Sequence, residues 1–302
     1  MRPGGVVVAG IGDDCAVLGV PPGHELLVTT DFTLENVHFR RSWHPPEVVG
    51  RRCVTRGLSD IAAMGGEPRA AFLSLALDGN VPQKWVDRFM DGLLAATGEF
   101  GVPLAGGDTA QSAGGIQADI VVVGSVPRGK SVLRSGARPG DQIYVTGELG
   151  GSAAAIARLR QGKVRARDYE RHFHPTARID AGLWLRRRGL ASSMIDLSDG
   201  LSTDLEHICE VSRVGAEIEV AAVPLARVGP AMRQVTLELA LHGGEDYELL
   251  FTSAEKVPPW IGGVMVTRIG RIMRKGGMVL VDEEGTSRRL LASGWEHFRE
   301  HV

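Results

Sequence analysis

The chain has 302 residues, 43% of them hydrophobic and 23% charged, with a formal net charge of −2. That balance excludes an intrinsically disordered chain and a multi-span membrane protein, and it argues against a nucleic-acid binder, which usually carries a basic domain. Glycine is the outlier: its 40 residues come in doublets such as 65–66, 106–107 and 243–244, with no G-X-Y period, and so mark tight loops rather than linkers or collagen.

Leu26–Thr30 reads as a strand ending at Asp31. Pro45-Pro46 opens a helix on which Val49, Cys53 and Ile61 keep helical spacing, and Gly65-Gly66 stops it. Phe72–Leu77 is strand-like. Pro82 starts a second helix with Trp85, Phe89 and Leu93 on one face. Val102–Ala105 is a short strand ending in Gly106-Gly107-Asp108, and Asp119–Val126 is a β-branched strand. Pro127–Gly140 holds glycine, proline and basic residues and is read as a domain boundary.

The second half begins with a strand at Gln142–Thr146, a helix at Gly150–Leu159 and a helix at Pro175–Arg188 closed by Gly189. Ser193–Asp196 is a strand. A helix over Thr203–Val214 carries Thr203 and Glu206 as a capping box. Ala216–Val220 is a strand, Glu238 lies in a helix, and Tyr247–Thr252 is a strand. Arg268–Arg274 and Met278–Val281 read as a hairpin around Lys275-Gly276-Gly277. The whole reads as two α/β or α+β domains, 1–130 and 138–302. Cys15, Cys53 and Cys209 are far apart and form no CxxC, which fits a reducing cytoplasm. Asp13 and Asp14 interrupt the first apolar run too early for a signal peptide, and no stretch reaches the ~18 apolar residues of a membrane span.

Gly124–Ser131 (GSVPRGKS) matches the phosphate-loop pattern G-x-x-x-x-G-K-[ST]. That motif works only when a helix follows, with its N-terminus meeting the phosphates. Here Val132–Ser135 runs into Gly136 and Pro139-Gly140, so we read a basic turn after a strand. His172-Phe-His174 lacks a third metal ligand nearby and is set aside.

Acids at strand and loop ends are the stronger signal. Asp13-Asp14 follow Gly12, Asp31 follows Thr29-Thr30, Asp60 sits on a mostly apolar helix, and Asp108 follows Gly106-Gly107. Asp196-Leu-Ser198-Asp199-Gly200 and Gly243-Gly244-Glu245-Asp246 continue the series. Each acid alone suits a turn or helix cap equally well. As a set, with hydroxyls at Thr29, Thr30 and Ser198, they suit Mg²⁺, a hard cation that takes oxygen ligands and bridges to substrate phosphates.

At these residues the sequence resembles the thiamine-monophosphate kinase family, within the superfamily of aminoimidazole ribonucleotide synthetase. The matching blocks are Gly12–Leu18, Thr29–Asp31 with Val37–Phe39, Leu58–Gly66, Gly106–Thr109, Leu133–Asp141, Tyr144–Gly147, His174–Arg178, Ile195–Gly200, Gly243–Leu249 and Gly294–Phe298. Single blocks are weak signals, but the ordered set spans nearly the whole chain. The resemblance implies a mixed-sheet N-terminal ATP/Mg-binding and dimerisation domain, an α+β C-terminal domain, and a homodimer. It implies ATP-dependent phosphorylation of thiamine monophosphate to thiamine diphosphate, the last step in making that cofactor.

Carried over by position, Asp13, Thr29, Thr30, Asp31, Asp60, Asp108, Asp196 and Asp199 match Mg²⁺ positions. Gly107, Asp108, Arg134 and Ser198 match ATP positions, and His38, Glu245 and Trp295 match positions at thiamine monophosphate. Asp108, Arg134, Asp196 and Asp199 are the expected catalytic set. Asp14, Asp204 and Asp246 are read as supporting or capping residues. Alternatives stay open for three of these: Arg134 anchoring its turn to Asp141, Trp295 as a core residue, and His38 as structural. The acceptor phosphate is already ionised near neutral pH, its second pKa being about 6, so no general base is required.

The family usually carries a helical segment before the Gly12 block, where about ten residues stand here. That difference bears on dimer contacts and part of the acceptor pocket. Asn36 stands where glycine is common and tolerates positive φ. The rival readings are another ATP-using synthetase of the superfamily, disfavoured by the missing cysteine motifs, and a non-catalytic nucleotide or Mg²⁺ sensor, disfavoured by the intact set of acids.

Overall fold

The computed structural model describes residues 6–12, 14–162 and 164–295. It divides into two compact units. The first gathers the described residues up to Ile61 with Gly66–Ser131 and Phe173–Ile179, and the second gathers Ala62–Gly65, Val132–His172 and the described residues from Asp180 onward.

The first unit opens with two short paired strands, β1 (Val7–Ala9) and β2 (Val17–Leu18). Then come β3 (His24–Leu34), α1 (Pro46–Ala63), β4 (Glu67–Leu77), α2 (Gln83–Glu99), β5 (Leu104–Gln111) and β6 (Gln117–Pro127). The four long strands form a mixed sheet in the order β3-β6-β4-β5, antiparallel except for the parallel β4–β5 pair. Apolar helical spacing gives α1 its buried side, with Val49, Cys53, Leu58 and Ile61 at 1% exposure or less. On α2 the rings of Trp85 and Phe89 stack at 5.5 Å, and Phe89 and Leu93 are fully buried.

Two strands run past the ends that the sequence suggested. β3 does not stop at Asp31, because β6 offers it an unbroken eleven-residue ladder, with Asp31 opposite Ile120. β5 likewise carries Gly106-Gly107-Asp108 within it, not beyond it. After β6 the chain turns at Gly129 and no helix follows before residue 151, so the phosphate-loop lookalike is a turn.

The second unit runs β7 (Gln142–Thr146), α3 (Gly151–Leu159), α4 (Glu170–Phe173), α5 (Ile179–Arg188), β8 (Ser193–Asp196), α6 (Leu201–Ser212) and β9 (Gly215–Glu219). It continues with β10 (Arg227–Val228), β11 (Arg233–Gln234), α7 (Leu237–His242), β12 (Leu249–Ser253), β13 (Trp260–Ile261), β14 (Val264–Met273), β15 (Met278–Val281) and β16 (Ser287–Leu290). Its main sheet has the order β16-β15-β9-β14-β7-β12-β8, with β13 joined to β14. Ile143, Val145, Leu205, Ile208, Ile218, Leu250 and Ile269 form its dry core.

Three expectations are corrected here. β14 and β15 are not a hairpin: β9 lies between them, antiparallel to β14 and parallel to β15. Ala216 and Ile218 on β9 are fully buried, and a buried strand needs a partner on each edge. The Lys275-Gly276-Gly277 segment therefore steps over β9, and the Gly277 carbonyl accepts from the Ala216 amide at 2.9 Å. α5 begins at Ile179 rather than Pro175, and the Pro175 carbonyl accepts from Arg51 Nε at 3.2 Å. α6 begins at Leu201 with Gly200 as its cap residue and no side-chain cap bond, so the Thr203–Glu206 box does not form. It ends at Ser212 and is capped by Arg213, which takes the left-handed conformation at φ 57.

Candidate functional site

In the first unit, pleating sorts the acidic strand. Thr29 and Asp31 point to the α1 side, where Thr29 Oγ1 donates to the carboxylate of Asp60. Arg56, four residues earlier on α1 and 8% exposed, donates to Asp31 Oδ1 at 3.4 Å. The helical i,i+4 spacing thus puts a buried cation and a carboxylate on one face of α1. The sequence reading missed Arg56, whose only advance signal was that spacing. Thr30 lies on the opposite face and donates to Asp119 Oδ1 at 2.6 Å, so its side chain does not join Thr29 and Asp60.

Asp108 is exposed on β5 and its carboxylate accepts from the Thr109 amide at 2.8 Å. The preceding Gly107 passes so near β4 that a Cβ would collide with the Leu73 carbonyl. Glycine is therefore required where the Asp108 strand pairs closely with β4, Gly107 opposite Leu73. His38 closes its own turn: Nδ1 accepts from the Leu34 amide at 3.0 Å, which leaves the ring proton on Nε2. Asn36 takes φ 66 in that turn. Glu35, another residue the sequence reading passed over, ties the turn down by accepting from Arg41 at 2.6 Å and from the Ile116 amide at 3.0 Å. Asp14 is exposed, and Asp13 lies outside the described residues.

In the second unit, β8 delivers Asp196, 3% exposed, into the turn Leu197–Gly200. The carboxylate of Asp204, 1% exposed, accepts from the Asp199 and Gly200 amides at 3.2 and 3.0 Å. Burial first, then the charges of Asp196 and Asp199, push the Asp204 carboxyl well above the usual carboxylate range. Asp199, Asp204 and His207 offer ligand atoms within 4.8 Å of one another, and His207 was not among the expected residues.

Three successive carbonyls of this turn are taken up. Those of Leu197, Ser198 and Asp199 accept from the amides of Tyr247, Glu245 and Trp295 at 2.9, 2.8 and 3.0 Å. The turn with Ser198 and Asp199 is thus bonded through its backbone to both Glu245 and Trp295. The remainder of the Trp295 motif, 296–298, lies outside the described residues.

Asp246, beside Glu245, is buried and accepts from the Gly150 and Ser152 amides at 2.6 and 3.2 Å, capping α3. Burial outweighs those bonds and pushes its carboxyl up to about 7. Glu248, 1% exposed, takes Thr146 Oγ1 at 2.6 Å and Arg171 at 3.1 Å. Arg134 is exposed and forms no ion pair among the described residues. The carboxylate of Asp141 is held instead by the Arg138 amide at 3.0 Å and Ser192 Oγ at 2.6 Å. Ser212 Oγ anchors the Arg134 turn, donating to the Arg134 carbonyl and accepting from the Gly136 amide at 3.3 and 3.2 Å. His172 is buried against Ser152 Oγ at 2.8 Å, as a structural residue.

Apart from the His207 imidazole, these donors are carboxylate and hydroxyl oxygens, and the acids around Asp204 repel one another, so the chemistry suits a hard divalent cation. No helix among the described residues is long and apolar enough to cross a membrane.

Residues 12–126 match the family "AIR synthase related protein, N-terminal domain", and residues 138–285 match its C-terminal domain. The thiamine-monophosphate kinase of Haemophilus influenzae is 39% identical over 96% of this chain and 92% of its own. The crystal structure of thiamine-monophosphate kinase from Stenotrophomonas maltophilia aligns with a TM-score of 0.79 at 32% identity, covering 91% of each chain. A ThiL structure complexed with AMPPCP and TMP aligns with the same TM-score at 34% identity, covering 95% of this chain and 92% of that one.

Proposed function

The chain belongs to the thiamine-monophosphate kinase family, and on that premise we propose that it transfers the γ-phosphoryl group of ATP to the phosphate of thiamine monophosphate, giving ADP and thiamine diphosphate. The observation that carries this reading is the Leu197–Asp199 turn, whose carbonyls hold the amides of Glu245 and Trp295. In this reading, one short segment organises the residues assigned to nucleotide and to acceptor.

The acceptor oxygen is already anionic, so the task is to orient two phosphates and offset their repulsion. In the first unit Thr29, Asp31, Asp60 and Asp108 would hold Mg²⁺, with Asp13 and Thr30 as further candidates. In the second, Asp196 and Asp199 would do so. Bound Mg²⁺ supplies charge neutralisation on the transferring group. Gly107 lets backbone approach the nucleotide, Ser198 offers a hydroxyl, and the exposed Arg134 offers a guanidinium fork matched to phosphate. His38 presents a protonated Nε2, Glu245 a carboxylate for the cationic part of thiamine, and Trp295 an aromatic face for the same cation.

The first unit is the proposed dimerisation domain. On the outer face of β3, an edge strand, Leu26, Val28 and Phe32 are 48%, 66% and 55% exposed. An apolar edge face of this kind fits a second copy of the chain. The three cysteines are free, which supports a reducing compartment such as the cytoplasm.

The direct test is incubation of pure protein with ATP, MgCl₂ and thiamine monophosphate, reading thiamine diphosphate by chromatography. Absence of product sinks the proposal. Asp108→Asn should abolish turnover without lowering the melting temperature, since its carboxylate is exposed.

A further inference from the structure

The segment Ser293–Trp295 is fastened by three consecutive backbone amides. The Ser293 N–H donates to Ser202 Oγ at 3.3 Å, the Gly294 N–H to Thr203 Oγ1 at 3.0 Å, and the Trp295 N–H to the Asp199 carbonyl at 3.0 Å. A segment beyond the last strand ordinarily gives its amides to water. Here every acceptor belongs to Asp199 or to the first turn of α6. Gly294 lies so close that a Cβ would collide with the Asp199 carbonyl and meet Thr203 Oγ1.

Ser202 is itself oriented. Its Oγ lies 2.8 Å from His242 Nδ1, and His242 Nε2 lies 3.4 Å from Glu238. A neutral imidazole protonated on Nε2 satisfies both contacts. The hydroxyl then donates to Nδ1, and its oxygen is left to accept the Ser293 amide. Ser202 is fully buried and Thr203 is 6% exposed, so both act through the segment they hold.

We propose that Ser202, Thr203 and Gly294 are positioning residues that strap Trp295 to the Asp199 turn and thereby set the affinity for the acceptor. This rests on the reading of Trp295 as an acceptor residue.

Thr203→Val keeps the side-chain shape and deletes the acceptor oxygen; Thr203→Ser restores it. Loss of one neutral hydrogen bond predicts a rise of about five-fold in KM for thiamine monophosphate. The KM for ATP and kcat stay within about two-fold, and Thr203→Ser returns to wild-type values. Trp295→Ala raises the same KM, and Thr203→Val adds nothing to it in the double variant, because both remove one interaction. An unchanged acceptor KM in Thr203→Val, or an equal rise in both KM values, overturns the proposal.

Hydrogen exchange at the Gly294 amide separates the two ways of failing. If Trp295→Ala leaves the acceptor KM unchanged while Thr203→Val speeds exchange, the strap stands, and the role of Trp295 and its link to affinity are overturned. If Thr203→Val changes neither exchange nor KM, the strap itself is overturned.

Discussion

The backbone amide of Glu245 donates to the carbonyl of Ser198 at 2.8 Å. Glu245 holds φ 67 and Tyr247 φ 52, both in the left-handed region that costs a non-glycine residue about 1–2 kcal/mol. The neighbouring Asp246 and Glu248 are anchored in the interior, so the turn is fixed from below. Glu245→Gly should therefore not lower the melting temperature, because glycine takes this φ without strain. It should raise KM for thiamine monophosphate at least ten-fold, through loss of a carboxylate facing a cation. A lower melting temperature with unchanged KM would show that Glu245 is structural.

Asp60 is the next test. Its carboxylate takes the Thr29 hydroxyl, so Asp60→Asn keeps a hydrogen-bond acceptor while deleting the charge. We expect the Mg²⁺ concentration for half-maximal rate to rise at least ten-fold, and Mg²⁺-induced thermal stabilisation without nucleotide to shrink in parallel. If both curves match the wild type, Asp60 is only the partner of Thr29.

The helices and most strands were legible because apolar spacing and proline or glycine boundaries are local signals. Val49, Cys53 and Ile61 on α1 turned inward as their spacing required. The β14–β15 pairing was misread because which strand lies beside which is a non-local property. Nothing within residues 264–281 shows that β9 will enter between them. The acids were legible as a set, whereas their sorting by face was decided by pleating, which sent Thr29 inward and Thr30 to Asp119. Arg56 and Ser212 were missed for a related reason: a buried arginine and an anchoring serine look like solvated residues until a partner distant in sequence reaches them.

The outer face of β3 predicts an assembly. In a two-fold interface each residue appears twice, so Val28→Glu or Phe32→Glu would bring two carboxylates into an apolar contact. Wild-type protein should sediment as a dimer and either variant should move toward monomer, with far-ultraviolet dichroism unchanged. A wild-type monomer across the micromolar range would remove the assignment of this face to a second copy.

Asp246 gives a pH dependence whose sign is fixed by burial. Its folded-state pKa, pushed up to about 7, lies above the ordinary value of about 3.9, so the native state binds the proton more tightly than the unfolded chain. The stability from this group is fully present below about pH 4 and is lost as pH rises through about 7, a change of up to about 4 kcal/mol. Asp246→Asn has no such titration. Its amide oxygen can cap the Gly150 or the Ser152 amide, so the variant should be less stable than wild type in acid and should recover relative to it as pH rises. Urea unfolding of both proteins between pH 4.5 and 8 measures the difference, which should narrow or invert across that window. A difference independent of pH would mean that Asp246 stays ionised in the folded chain, with its two amide bonds outweighing burial.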